Sequence, residues 1–409
     1  MKAEKNILLK GRNEIDPLSI QAYISEGGFR ALKAARGMKA EDIIGKITTS
    51  GLRGRGGAEY PVGKKWSLVW QESREKYIVC NADEGEAGTF KDRELLTYIP
   101  MRVIEGILIA ACTLNAKKGC IYLRGEYLSI YEMLKDVIAI VKKDGYFPEG
   151  FELEVISGAG AYICGEETAL LSSIENGIGE PKMKPPYPTG SGLYGFPTLI
   201  NNVETFACIP GIINGEGADT KLISLSGMVR KRGVFEIEID RYSIYDMIYS
   251  EQFGKGMKNG KAVKFIQLGG QSGSIIFPEQ MHIPYGYEWM EKAGLGIGAG
   301  AVTVYNEEVS LVDYCRNIVE FFVDESCGKC SPCRIGLSYI AYLLRRLCSG
   351  SAATGDVERL AEAARQISQL AFCGLGRSAV KVLSSVLEHR REEFLIYEKG
   401  ICNVDVGFD

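Results

Sequence analysis

The chain has 409 residues, enough for roughly two to four domains, and its 46% hydrophobic and 24% charged content is that of an ordinary globular protein. A formal net charge of −4 leaves no basic footprint for nucleic acid, and no run approaches the ~18 uninterrupted apolar residues of a membrane span. Only two histidines are present, His282 and His389, which read as a loop residue and an exposed helix residue and argue against a histidine-dependent triad or a histidine-rich zinc site.

The N-terminal stretch "MKAEKNILLKGRNEIDP" lacks the apolar centre of an export signal. With twelve cysteines, this predicts a cytoplasmic protein whose thiols serve metal binding or catalysis, not disulfides. Residues 1–50 read as helical, with "PLSIQAYISEGGFRALKAA" apolar at helical spacing and broken at Gly27–Gly28. A glycine-rich, basic segment follows, "GLRGRGGAEYPVGKKW" (51–66). Its glycines permit close approach of backbone to a planar or phosphorylated ligand, and Arg53, Arg55, Lys64 and Lys65 can meet phosphate charge. It is neither a Walker loop nor a G-x-G-x-x-G fingerprint, and alone such a loop is as often solvated as a nucleotide cradle.

Short runs "YIVC" (77–80), "CIYLR" (120–124) and "FELEVI" (151–156) read as strands alternating with helices. "VIEGILIAACTL", interrupted by Glu105, predicts a buried helix, and "SIYEMLKDVIAIVKK" opens with Ser129 and Glu132 in capping-box spacing. "NADEGEAGTFKDR" (81–93) clusters Asp83, Glu84 and Glu86 directly after a strand. A solvated acidic loop is the plain reading; carboxylates at a strand's carboxyl end can instead take ribose or flavin-tail hydroxyls. In "GAGAYICGEET" (158–168), Glu166 and Glu167 fall at a helix N-terminus, and "INNVET" (200–205) offers the paired amides Asn201 and Asn202. This alternation predicts an α/β domain up to about residue 212. Beyond it, "LISLSGMV", "VFEIEI" and "KFIQLGG" are strand-like, with one helical piece around "IYDMIYSEQFG", which predicts a small α+β domain. From Ser310 helical periodicity dominates, in "LVDYCRNIVEFFV", "LSYIAYLLRRLC", "VERLAEAARQISQLAF" and "AVKVLSSVLEHRREEFLIY", four helices that fit a bundle.

Between the first and second of these lies "ESCGKCSPCRIG", with Cys327, Cys330 and Cys333 at intervals of three. That spacing sets three thiolates on one compact turn, which matches three irons of a [4Fe–4S] cube, whereas zinc sites use a second pair that is missing here. Nine other cysteines are candidates for the fourth ligand. Cys80, Cys112, Cys120, Cys164 and Cys208 belong to the α/β part, Cys315 and Cys348 to apolar helical patterns, and Cys402 to the C-terminal tail. Cys373, beside two glycines in "FCGLGRSA" between the third and fourth helices, is the expected fourth ligand.

Together these segments resemble the family of flavoprotein subunits found in respiratory complex I and its soluble relatives, the diaphorase subunits of NAD-linked hydrogenases, formate dehydrogenases and electron-bifurcating hydrogenases. The resemblance runs from about residue 15 to about residue 395. It implies a Rossmann-like FMN- and NAD(H)-binding α/β domain (1–212), a β-grasp domain (213–302), a four-helix bundle carrying one [4Fe–4S] cluster on Cys327, Cys330, Cys333 and Cys373 (303–396), and a tail (397–409). It further implies that FMN is held by Gly54, Gly56, Gly57, Lys65, Asn81, Asp83, Glu84, Gly165, Glu166, Asn201 and Asn202. NADH would meet Tyr60, Glu86, Tyr162, Glu167, Lys184 and Tyr187. No side chain is expected to be catalytic in itself: FMN carries the chemistry, and Glu86 and Glu167 orient NADH. The expected activity is that of an NADH:acceptor oxidoreductase subunit.

Three positions depart from the family pattern: Glu59 where glycine is usual, Leu68 where an aromatic is common, and Ala87 where proline is usual. They lie on the dinucleotide side and bear on NAD versus NADP preference. "GRNEIDPLSIQAYISEGGFRAL" is more similar to the soluble relatives than to membrane complex I, which implies a hydrogenase, formate dehydrogenase or bifurcating complex. The implied partners are a thioredoxin-like [2Fe–2S] subunit and a further iron–sulfur or catalytic subunit, with no nucleic acid and no direct membrane span. The alternatives are a complex I subunit, a scaffold with a structural cluster and vestigial flavin site, and a zinc-stabilised nucleotide-binding regulator.

Overall fold

The computed structural model describes residues 6–400, so Cys402 and the rest of the tail from 401 lie outside the described residues. Four strands, β1 (Tyr77–Ala82), β2 (Lys118–Leu123), β3 (Glu152–Ser157) and β4 (Thr198–Asn202), form a wholly parallel sheet in the order β3-β2-β1-β4. Ile78, Val79 and Cys80 of β1 are fully buried, as a parallel strand covered on both faces must be. Helices Pro100–Leu114 and Val203–Asn214 cover one face. On the other, Val79, Tyr122 and Ile200 share a core with the C-terminal helices. The chain steps outward from β1 to β2 and β3, then returns to pair β4 on the far side of β1, with Asn81 opposite Asn202. That reversal of strand order opens a crevice at the carboxyl ends of β1 and β4.

Pro100–Leu114 is the expected buried helix, begun by Pro100 in its first turn. Its Glu105 carboxylate accepts from Tyr23 Oη (2.6 Å) and from the backbone N–H of Phe29 (2.9 Å) and Leu32 (3.0 Å), which docks the N-terminal helices on it. Among the described residues no single helix is long and apolar enough to cross a membrane. The bent pair Lys91–Tyr98 and Pro100–Leu114, which meet at 94°, comes nearest, and its apolar part is core.

The second sheet comprises β5 (Thr220–Gly227), β6 (Gly233–Glu238), β7 (Val263–Leu268), β8 (Ser274–Ile276) and β9 (Ala301–Asn306), in the order β6-β5-β9-β7-β8. Only β5 and β9 run parallel. Two short helices pack on it, Ile244–Tyr249 behind a Ser243–Asp246 capping box and Tyr287–Lys292 through Met290, where the sequence suggested one. The division placed at residue 302 from the sequence falls inside β9, the middle strand of this sheet.

Two local expectations are corrected. The helix expected to start with a Ser129–Glu132 box begins at Leu128 and has Tyr127 at its cap, because the Tyr127 hydroxyl is tied to Glu84 Oε2 at 3.1 Å. The single last helix is two, Lys381–His389 and Arg391–Glu398. Arg390 leaves helical geometry (φ −141°) to pair with Glu279 at 2.6 Å and to lie 4.0 Å over the Phe277 ring, so contacts with the second sheet outweigh local periodicity. The remaining bundle helices are Leu311–Asp324, Leu337–Cys348 and Asp356–Leu370. His282 sits in a loop stacked on Tyr245 and His389 ends its helix exposed, as expected.

The two sheets are joined by buried charge. Glu204, on the helix after β4, lies 3.0 Å from Lys91 Nζ, 3.7 Å from Lys221 Nζ on β5 and 4.0 Å from Arg55 Nε. All four side chains are at most 1% exposed. Burial alone would protonate Glu204; Lys221, Lys91 and Arg55 instead hold its carboxyl below the usual range. Glu204→Leu leaves Lys221 with no carboxylate in ion-pair reach and takes from Lys91 and Arg55 the counter-ion they share, and the expected loss is about 3–5 kcal/mol in denaturant unfolding. A loss under about 1 kcal/mol, the scale of an exposed ion pair, would contradict a structural role for this joint.

Candidate functional site

A cleft of about 340 Å³ occupies the crevice at the ends of β1 and β4. Of the residues expected to bind flavin, Gly56, Gly57, Asn81, Asp83, Glu84, Gly165, Glu166 and Asn202 line it; of those expected to meet the dinucleotide, Glu86 and Tyr162 do. The Gly56–Gly57 turn forms one wall, with Gly57 at φ +110° and a β-carbon on Gly56 destined to lie 3.1 Å from Asn202 Cβ. Arg55 pins that turn: its N–H donates to Thr205 Oγ1 (2.9 Å) and its guanidinium to Tyr287 Oη and the carbonyls of Ala218 and Thr220 (2.7, 3.0 and 2.9 Å).

Asn81, the penultimate residue of β1, donates through Nδ2 to the Gly165 carbonyl at 3.0 Å and accepts from Asp83 N–H at 3.1 Å, which fixes both neighbours. Asp83 Oδ2 and Thr89 Oγ1, both buried, have no hydrogen-bond partner within the protein. Burial pushes the Asp83 carboxyl up to about 7 against the pull of Arg124. The Glu84 carboxylate is turned away into the next helix, accepting from Asp92 N–H (2.8 Å) and Arg93 N–H (3.0 Å). Glu166 caps the helix Glu167–Ile174 through the N–H groups of Thr168 and Ala169. Despite burial it is held below its usual value, chiefly by Lys184 at 2.8 Å.

The other expected residues stand behind or around the cleft. Gly54 closes the glycine loop on the Tyr60 carbonyl (2.9 Å), and Lys65 donates to the Ile200 carbonyl (3.1 Å) and lies 3.8 Å from Glu167. Asn201 faces Trp66: its amide accepts from Trp66 Nε1 (3.0 Å) and donates to the Ile200 carbonyl (2.9 Å). Glu167 pairs with Lys184 at 2.6 Å, Tyr60 lies between Lys64 and Lys65, and Tyr187 is 58% exposed. Two wall segments were not expected from the sequence: Gly269, Ser272, Gly273 and Ser274 at the β7–β8 turn, and Gly296, Gly298 and Ala299 before β9. Both come from glycine-rich stretches of the second sheet, "GGQSG" and "GLGIGAG", which carry the same cue as residues 54–57. Glu59 reaches this second loop, accepting from Gly298 N–H at 3.2 Å. Gly374, Leu375, Ser378 and Lys381, just after Cys373, complete the wall.

Cys373 and the triplet meet at this end of the bundle. The Cys333 thiol is pushed up to about 11, first by burial and also by Cys330, Cys373 and Cys327, all near enough to act on it. Cys373 feels Cys327 and Glu166 in turn. Gly376 seats the Cys373 loop against Cys333, whose Sγ would lie 3.6 Å from any β-carbon there. Four thiols gathered at one end of a bundle are a donor set that can hold an iron–sulfur cluster. Cys80, Cys120, Cys164, Cys208 and Cys315 are buried elsewhere.

Comparison with known proteins agrees with this geometry. The family described as the Nuo51 FMN-binding domain matches residues 47–211, and the NADH-ubiquinone oxidoreductase-F iron-sulfur binding region matches residues 313–397. The second NADH-quinone oxidoreductase F subunit of Rhizobium meliloti is 39% identical over 96% of this chain and 97% of its own length. The corresponding F subunit of Aquifex aeolicus is 40% identical over 96% and 95%. A solved NAD+-reducing [NiFe]-hydrogenase in its H2-reduced state superposes with a TM-score of 0.84 at 32% identity, over 98% of this chain and 68% of that one.

Because Asp83 holds its proton up to about 7 in the folded chain against 3.8 normally, the folded state binds more protons than the unfolded state between those values. Stability therefore falls as pH rises through that window. In the ligand-free chain, Asp83→Asn is expected to flatten this slope and to raise the unfolding midpoint at about pH 8. An unchanged slope in the variant would show that Asp83 is not the group responsible.

Proposed function

The chain belongs to the family of NADH-quinone oxidoreductase F subunits, and from that membership we propose that it is the electron-input subunit of a multi-subunit oxidoreductase, oxidising NADH at the cleft and passing electrons out past the four cysteines. When bound, FMN supplies the exchange between two-electron hydride chemistry and single electrons, and a [4Fe–4S] cluster supplies a one-electron relay. The observation that carries the reading is the shared wall: Gly374 and Leu375, next to Cys373, line the same cleft as Asp83 and Gly57.

The residues suit these groups. Gly56 and Gly57 leave a flat wall for a planar ring, while Asp83 Oδ2 and Thr89 Oγ1 are buried acceptors that a polyhydroxylated tail would satisfy. Asn81, Gly165 and Asn202 would hold the flavin with them, and Gly54, Lys65, Glu166 and Asn201 would support that shell from behind. Glu84 would contribute through its backbone, since its carboxylate serves the helix. Glu86 and Tyr162 would face the dinucleotide, with Tyr60, Glu167, Lys184 and Tyr187 at the entrance. Cys327, Cys330, Cys333 and Cys373 would hold the cluster. Hydride transfer needs no side-chain acid or base, in keeping with the absence of histidine from the cleft wall.

The finer placement is a soluble hydrogenase or formate dehydrogenase complex, one that bifurcates electrons included; the superposition of 98% of this chain on a hydrogenase chain supports the hydrogenase among them. A quinone-reducing complex is the second reading, favoured by the 39–40% identity to the F subunits of quinone-reducing enzymes. The partners would be a thioredoxin-like [2Fe–2S] subunit and a further iron–sulfur or catalytic subunit. Every cysteine among the described residues is a free thiol, which supports a cytoplasmic setting.

Cys373→Ser is expected to lower iron and sulfide content while leaving flavin in place; Cys315→Ser, in the bundle core, should keep full iron. Equal loss in both variants, or in neither, would overturn the ligand assignment.

A further inference from the structure

We propose that Ser272, in the turn between β7 and β8, is a positioning residue that sets the Glu86 carboxylate for the incoming dinucleotide, a role that rests on reading the cleft as the flavin and dinucleotide site. Glu86 Oε1 accepts from Ser272 N–H at 2.7 Å, and Glu86 Oε2 accepts from Ser272 Oγ at 2.8 Å and from Tyr162 Oη at 2.7 Å. One serine of the second sheet thus grips both oxygens of a carboxylate carried by the first. The turn is shaped for this. Gly270 sits at φ +76°, and a β-carbon on it would drive into the Glu86 side chain. Gln271 Oε1 accepts from Ala87 N–H at 3.0 Å, which fastens the residue after Glu86 as well.

The third partner is equally fixed. Tyr162 packs edge-on to Phe321 and Phe322 at 5.3 and 5.9 Å, and its N–H donates to Glu325 Oε2 at 2.9 Å. Glu86 is therefore the point at which the first sheet, the second sheet and the C-terminal helices meet over the cleft. A carboxylate gripped this way retains lone pairs for a ligand hydroxyl or amide, and its rotamer need not be ordered on binding.

Burial raises the Glu86 pKa, and the bonds from Ser272 and Tyr162 pull it back. The other titratable groups around it are Tyr162 and, behind it, Glu325, with Glu59, Asp83, Glu84, Asp92, Glu166 and Lys381 on the same cleft walls. Without the Ser272 hydroxyl the carboxylate protonates at higher pH and swings more freely.

The test compares wild type, Ser272→Ala, Ser272→Thr and Glu86→Gln in the flavin- and iron-loaded protein. It measures flavin content by absorbance, NADH affinity by equilibrium titration, and kcat and KM across pH. Ser272→Ala is expected to keep its flavin and most of kcat, to weaken NADH binding and raise KM by about tenfold, and to move the acid limb of kcat/KM to higher pH. Ser272→Thr should restore both, and Ser272→Ala added to Glu86→Gln should cost nothing further. A Ser272→Ala protein matching wild type in affinity and pH profile, or one that simply loses its flavin, would overturn the positioning role while the reading of the cleft stands. If wild type itself binds no NADH, that reading falls and takes this inference with it.

Discussion

The structure depends on a carboxylate that has no access to water. Glu204 collects Lys91, Lys221 and Arg55 in the interior, and each arrives from a different part of the chain. Charges in such a place are tolerable only together, because the desolvation of each is offset by the others. Burial pushes the Lys221 amine down to about 8 even with Glu204 beside it, while Lys91, close to both Asp92 and Glu204, is driven the other way. Neither sheet can therefore be withdrawn from the joint without leaving stranded charge.

The cleft inherits this rigidity. Lys91 also donates to Asn202 Oδ1 and pairs with Asp92, whose other oxygen accepts from Asn202 Nδ2 at 2.6 Å, so the amide at the end of β4 is held from beneath. Arg55, from the same network, fixes the Gly56–Gly57 wall. A site built at a strand-order reversal is usually completed by the loops of one domain. Here the walls come from both sheets and from the helix after Cys373, which places the cleft and the four cysteines against one another in a single chain. Proximity of this kind, with glycine walls and orphaned acceptors, is what a subunit that relays electrons requires of its protein.

Much of this was legible in the residues. The apolar run of β1, the helix around Glu105, the carboxylates after β1 and the cysteine spacing all report local physics: burial on two faces, helical periodicity, and ligand geometry on a short turn. Cys373 stood out because it precedes Gly374 and Gly376 at a bundle end, and the structure seats that loop against Cys333. What was hidden depends on tertiary partners. The glycines at 269–273 and 294–300 look like any turn until the second sheet swings them over the cleft. Asn201 and Asn202 are chemically equal in sequence; as neighbours on one strand they face opposite ways, and the tertiary partners, Trp66 for Asn201 and Lys91 with Asp92 for Asn202, decide which one meets the cleft. Arg390 breaks a helix whose periodicity continues through it, because its guanidinium is worth more against Glu279 and Phe277.

The most direct measurement is the absorption spectrum of the anaerobically purified protein before and after NADH. Flavin bands that bleach on NADH addition, above a broad iron–sulfur background that also declines, are the expected result. Flavin and iron both present but unchanged by NADH would contradict electron entry at this cleft.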